Sequence, residues 1–93
     1  MEIKRADDGK HKYTAIFSDP KQTIHFGDIN YQDYTQHKNL LRAKNYVNRH
    51  RKNEDWFSSP RSKGALSFWL LWSSPNFSNN LKAFSRRFNL DIK

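Results

Sequence analysis

Between Tyr34 and Asn53 the chain carries six Lys/Arg residues and no Asp or Glu. Lys38, Arg42 and Arg49 follow one another at offsets of 4 and 7, so on a continuous helix they project from one side. Lys44 adds to the charge of the same segment. His50, Arg51 and Lys52 extend it at the C-terminal end, and Arg61 and Lys63 continue it at the start of the next element. Cations grouped in this way, with no acid between them, suit the phosphates of a polyanion. Contacts of that kind grip a nucleic-acid backbone without reading its bases, and they weaken steeply with salt. A helix C-terminus attracts cations in its own right, by about 0.3–1 kcal/mol each, which accounts for Arg51 and Lys52 without a ligand. It does not account for Lys38, near the N-terminal end, where a cation is mildly unfavourable and a bound phosphate supplies the missing reason.

Aromatic rings interleaved with such cations can stack on unpaired bases. Tyr31, Tyr34, Tyr46, Trp56 and Phe57 are the rings in range. Tyr34, Tyr46 and Trp56 are carried forward as stacking candidates, Trp56 being the ring that periodicity buries least obviously. Hydrolytic chemistry has weaker support. A strand pair followed by a helix, with His25, His37 and His50, and Asp33, Glu54 and Asp55 nearby, is the outline of a ββα-metal nuclease. On one continuous helix, however, His37 and His50 stand more than three turns apart, roughly 20 Å, too far to share an ion. There is no Gly-rich phosphate loop, nucleophile elbow or HExxH motif. No catalytic residue, metal ligand or cofactor is assigned, and the protein is expected not to be an enzyme.

The elements that must position these residues follow from local pattern. Residues 1–11 are polar, carry the turn signal Asp7-Asp8-Gly9, and are expected to be a flexible arm. Residues 12–93 are expected to form a single domain. Lys12–Phe17 and Gln22–Gly27 are rich in β-branched and aromatic residues and flank Ser18-Asp19-Pro20-Lys21, which reads as a β-hairpin. Tyr13, Ala15 and Phe17 share one face of it, with Ile24 and Phe26 opposite. Asp33, with Gln36 three residues on, starts a helix expected over Tyr34–Arg51, with Leu40, Ala43 and Val47, and Leu41 beside them, as its buried stripe. Ser59-Pro60, or alternatively Ser62, opens a second and more apolar helix. Phe77, Leu81, Phe84 and Phe88 mark the third, about Asn76–Asn89. The fold expected is α+β: an N-terminal β-hairpin followed by three α-helices packed around an aromatic core.

Length and composition agree with that scale. Ninety-three residues at 35% hydrophobic content make one modest core with no room for a deep active-site cavity. Seven Phe, four Tyr and three Trp must supply most of its area. Without cysteine there is neither a disulfide nor a Cys-type zinc site. The charged N-terminus is not a secretory signal, and the longest apolar run, Phe68–Trp72, falls far short of the roughly 20 residues of a membrane span. A soluble, intracellular protein with no membrane partner is expected. The net charge of +8 is unevenly placed: residues 1–33 hold five Lys/Arg against six Asp/Glu, and residues 34–93 hold twelve against three. Such asymmetry points to a polyanionic partner.

Three groups of residues also resemble a known set of proteins. His25-Phe26-Gly27; Asp33-Tyr34-Thr35 with His37-Lys38; and Arg42, Tyr46, Arg49-His50 and Glu54-Asp55-Trp56 are similar to the pattern in a family of small basic proteins encoded by nucleocytoplasmic large DNA viruses. Gly64-Ala65-Leu66-Ser67, with Trp69, Leu71 and Trp72, and the Leu81–Phe88 segment fit as well, so the resemblance spans roughly residues 12–90. Asn39, where members often carry an acid, and the Ser58–Ser62 linker depart from it. The resemblance implies a viral origin and a shared fold but transfers no activity. The expectation is therefore a small viral nucleic-acid-binding protein (DNA or RNA), in the host cytoplasm or nucleus or packaged in the virion. A virion structural or adaptor module with a viral or host protein partner is the alternative, and a metal-dependent nuclease comes third.

Overall fold

The two-residue alternation of Tyr13, Ala15 and Phe17 forms β2 (His11–Phe17), and Ile24 and Phe26 do the same in β3 (Gln22–Asp28). The two strands pair antiparallel with Tyr13 opposite Phe26 and Ala15 opposite Ile24. The computed structural model describes residues 1–93, and the hairpin is part of a three-stranded antiparallel sheet with β2 at its centre. The third strand comes from the segment expected to be a flexible arm. Glu2–Arg5 is β1, with Ile3 opposite Ala15. Its single inward apolar residue, Ile3, is too little to show a period in sequence, yet it packs on the core. Asp7-Asp8-Gly9 makes the turn expected of it: Asp8 Oδ1 accepts from the amides of Lys10 and His11, both at 2.9 Å, and Gly9 adopts φ 71°. The chain ends meet where the Lys93 amide donates to the Met1 carbonyl at 3.0 Å.

The long helix expected over Tyr34–Arg51 is two helices, α1 (Tyr34–His37) and α2 (Leu40–His50). Asp33 opens the first as a capping box, its Oδ1 accepting from the Thr35 amide at 2.9 Å while Gln36 Oε1 accepts from the Asp33 amide at 3.0 Å. Lys38 then closes it in the left-handed region at φ 56°. The Asn39 amide donates to His37 Nδ1 at 2.9 Å, and its side chain restarts the chain as α2 by accepting from the Arg42 amide at 3.1 Å. Because Asn39 resets the phase, the buried residues of α2 are Ala43 and Tyr46. Val47 is half-buried, and Leu40 and Leu41, expected in the core, are 57% and 67% exposed.

Ser62, the alternative start, caps the next helix, accepting from the Ala65 amide at 3.0 Å. This helix is α3 (Lys63–Ser67), and it runs directly into a π-helical turn, Phe68–Trp72. Ser59 instead accepts the Arg61 amide in the preceding loop. α4 (Phe77–Phe88) matches expectation, with Asn76 as its N-cap and Asn89 closing it at φ 53°. The apolar α3/π segment is central, as expected, and supplies Leu66, Leu70 and Leu71 to a cluster with Ala15, Phe17, Ile24, Phe26 and Phe84. That centre is mixed phenylalanine and aliphatic rather than purely aromatic. The remaining rings form stacks: Tyr46 on Trp72 with centroids 4.1 Å apart, and Trp56 on Phe68 at 4.1 Å. No helix is long and apolar enough to cross a membrane.

Candidate functional site

The sheet and α2 flank an open groove of about 1150 Å³, a surface recess rather than a deep enclosed cavity. Its floor holds Phe26, Leu71 and Trp72, and α3 contributes Lys63 and Gly64 to its far end. On α2, Arg42, Asn45, Tyr46 and Arg49 fall at i, i+3, i+4 and i+7 and all line it. The opposite wall is the end of β3 and the loop after it, with Tyr31 and Gln32 at the rim. Gly27 permits the wall to approach the floor: its φ is +80°, and a Cβ there would lie 2.9 Å from Leu71 Cδ1.

The nine expected cationic residues separate into three groups. Arg42, Arg49, His50 and Lys63 line the groove. Lys38, Lys44, Arg51 and Lys52 are exposed outside it, and Lys38 is not on a helix at all but in the left-handed link between α1 and α2. Arg61 is a structural residue. Its guanidinium donates to the Pro20 carbonyl at 2.8 Å and the Ser18 carbonyl at 3.1 Å, and lies 4.6 Å from the Phe17 ring centroid. It clamps the β2–β3 turn to the start of α3. Arg61→Ala is therefore expected to lower stability by about 1–2 kcal/mol in urea denaturation and to leave affinity for a polyanion within about twofold. A large loss of affinity with unchanged stability would return Arg61 to the binding surface.

The stacking candidates are corrected in the same way. Trp56 is buried, its indole N–H donating to Glu54 Oε1 at 2.8 Å, and Tyr46 is buried between Trp72 and the His50 ring. Tyr34 is half-buried against His37. None presents a free face to the groove. Tyr31, passed over in favour of these three, does: it is 71% exposed at the rim. Its loop carries no periodicity, so its only sequence signal was an aromatic with no apolar neighbours at core spacing. Asn45 was equally overlooked, although its position three residues after Arg42 signals the shared face.

Of the three acids that line the groove, Asp33 and Glu54 are held by other side chains, and Asp28 accepts only the Asn30 amide through Oδ1, at 2.8 Å. Asp33, 2% exposed, binds Lys12 Nζ at 2.7 Å, and Lys12 Nζ also donates to Gln36 Oε1 at 2.6 Å. Glu54 holds His50 Nδ1 at 2.7 Å through Oε2 and the Trp56 indole through Oε1. Gly64 makes room for that carboxylate, since a Cβ there would lie 2.7 Å from Glu54 Oε1. Burial, assisted by Glu54, pushes the Tyr46 phenol well above its ordinary range. Burial also lowers the His37 pKa from its ordinary value, with Arg42 acting in the same direction. The Asp and Glu side chains that meet a basic side chain within 4.0 Å do so at His11–Asp8, Lys12–Asp33 and His50–Glu54. Arg42, Arg49 and Lys63 therefore enter the groove with no acid within 4.0 Å of their charged nitrogens. No three His, Asp or Glu side chains converge as a metal site.

Residues 1–50, more than half of the chain, match a family of unknown function (DUF5754). No curated protein and no solved structure matches the chain.

Proposed function

The chain belongs to that DUF5754 family, and we propose that it is a nucleic-acid-binding protein whose groove grips the phosphate backbone through α2, without bond cleavage. The observation that carries this reading is the set of three unpaired cations, Arg42, Arg49 and Lys63, converging on one groove from two elements. Elsewhere around the groove, Lys12 is paired with Asp33, and Glu54 is held by the His50 ring and the Trp56 indole. Unpaired guanidinium groups in a recess suit oxyanions presented in a row, because each forms charge-assisted hydrogen bonds in a fork geometry. Lys38, Lys44, Arg51 and Lys52, exposed on the outside of the same segment, add a long-range field that draws a polyanion toward it.

Exchanging Arg42 and Arg49 together for Ala is expected to weaken binding to an oligonucleotide about 100-fold at moderate salt, on the basis of about 1.5–3 kcal/mol per hydrogen bond to a charged group and incomplete additivity. The Lys44→Ala, Lys52→Ala double variant, which removes the same charge from outside the groove, is expected to lose less than about tenfold. Fluorescence anisotropy with labelled oligonucleotides measures both. Equal losses would mean that the net charge of the segment, not the groove, does the binding.

Leu40 and Leu41 favour a second reading. Two adjacent leucines at the start of α2, 57% and 67% exposed, are the kind of apolar surface that anchors a protein partner. A virion structural or adaptor role, with the cations facing an acidic protein, is the form this takes. It predicts that Leu40→Ser, Leu41→Ser abolishes the partner contact and leaves oligonucleotide affinity unchanged.

A further inference from the structure

Resting on the nucleic-acid reading of the groove, we propose that its occupant is a single-stranded segment, with an unpaired base stacked on Tyr31. Three observations point this way. First, Tyr31 is 71% exposed, lines the groove, and stacks on no other ring of the protein, whereas the other two aromatics of similar size there, Tyr46 and Trp72, are stacked on each other. Only Tyr31 offers a free π face. Second, the loop backbone that carries the ring is pinned. The Tyr31 amide donates to the Asp28 carbonyl at 3.3 Å, the Asn30 amide donates to Asp28 Oδ1 at 2.8 Å, and two residues later Asp33 is fixed by Lys12 and by its capping bonds. A ring carried on a pinned backbone loses less entropy when the base arrives than one on a free loop.

Third, the groove is lined for bases as well as phosphates. Asn45 and Asn48 on α2 and Gln32 on the opposite wall line the groove, and their side-chain amides form no hydrogen bond within the protein. Such amides can both donate to and accept from a base edge. Arg42 and Arg49 are seven residues, about two helical turns, apart along the same wall. At about 1150 Å³ the recess exceeds the roughly 300–1,000 Å³ of pockets that hold one drug-sized ligand, which leaves space for more than one nucleotide. A double helix keeps its base faces stacked inside, so it can set phosphates on the groove's cations but cannot offer Tyr31 a base face. Sequence preference is expected to be weak, since stacking accepts any base.

The test compares 15-nucleotide oligo(dT), oligo(U) and a duplex of the same length by fluorescence anisotropy, using the full chain and its Tyr31→Ala and Tyr31→Phe variants. Single strands are expected to bind at least about tenfold more tightly than the duplex. Tyr31→Ala should weaken single-strand binding about tenfold, Tyr31→Phe should restore it because the ring suffices, and neither should change duplex binding. The two single strands distinguish DNA from RNA as the source of the unpaired base. Equal affinity for duplex and single strand, or a Tyr31→Ala variant that binds single strands as the parent does, overturns the proposal while leaving the phosphate-gripping groove intact. Binding to none of the three probes overturns both.

Discussion

Replacing Lys12 by Met is expected to destabilise the protein by about 3–5 kcal/mol, the cost of leaving a buried carboxylate without its counter-charge. Lys12 lies on β2 and Asp33 at the N-terminus of α1, and their side chains are 11% and 2% exposed across a 2.7 Å contact. Asp33 cannot escape to water, because it also accepts from the Thr35 amide and hydroxyl and anchors the capping box. Losing the ammonium also removes the bond to Gln36 Oε1, the other half of that box. The Lys12→Met, Asp33→Asn double variant takes away both charges while keeping an N-cap acceptor, and it is expected to recover about half of the loss or more. Urea denaturation of the two variants measures the coupling. A single-variant loss below about 1 kcal/mol would show that water reaches the pair and that the sheet and α1 are not joined there. The consequence for function is direct, since this pair fixes the loop that carries Tyr31.

Asn80→Ala is the second large effect, about 2–4 kcal/mol. Asn80 is 1% exposed on the core side of α4. Its Nδ2 donates to the Leu70 carbonyl at 2.9 Å and the Ser74 carbonyl at 3.0 Å, and its Oδ1 accepts from the hydroxyls of Ser73 at 3.1 Å and Ser74 at 2.5 Å. The π-helical turn explains the need. Its widened end leaves carbonyls without the usual helical partner, and the Asn80 amide takes them up from the neighbouring helix. Alanine leaves a buried carbonyl unsatisfied and a cavity beside Leu70. For a domain of this size the expected fall in Tm is about 10–20 °C. A shift of only a degree or two would mean that the turn can rewind as ordinary α-helix without help.

What the sequence disclosed and what it hid divide along physical lines. The hairpin, the central apolar helix and α4 were legible because each has a repeating pattern several residues long: Tyr13/Ala15/Phe17 at period two, and Phe77/Leu81/Phe84/Phe88 at helical spacing. β1 was hidden because one inward residue, Ile3, cannot display a period. The break at Lys38-Asn39 was hidden because both residues are acceptable inside a helix. Only the competition between the Asn39 side chain and the backbone ladder, aided by His37 Nδ1, ends α1 there. That one break moved Leu40 and Leu41 to the surface and brought Tyr46 into the core. Within the site, Arg42 and Arg49 were found from charge and spacing. The internal engagement of Arg61 was hidden because charge alone does not reveal that the carbonyls of Ser18 and Pro20, more than forty residues earlier, take up its guanidinium. Trp56 was misassigned because its burial depends on Phe68 and Glu54, which reach it only through the tertiary fold.

The central claim, that Arg42, Arg49 and Lys63 form a phosphate-gripping groove, is tested most directly by the salt dependence of oligonucleotide affinity. For a single strand contacted by three cations, log Kobs is expected to fall against log[salt] with a slope of about −2, or roughly 20-fold between 50 and 200 mM. The Arg42→Ala, Arg49→Ala variant is expected to flatten that slope to about −0.7. A parent protein whose affinity does not change with salt, or a double variant with the parent slope, would contradict the account.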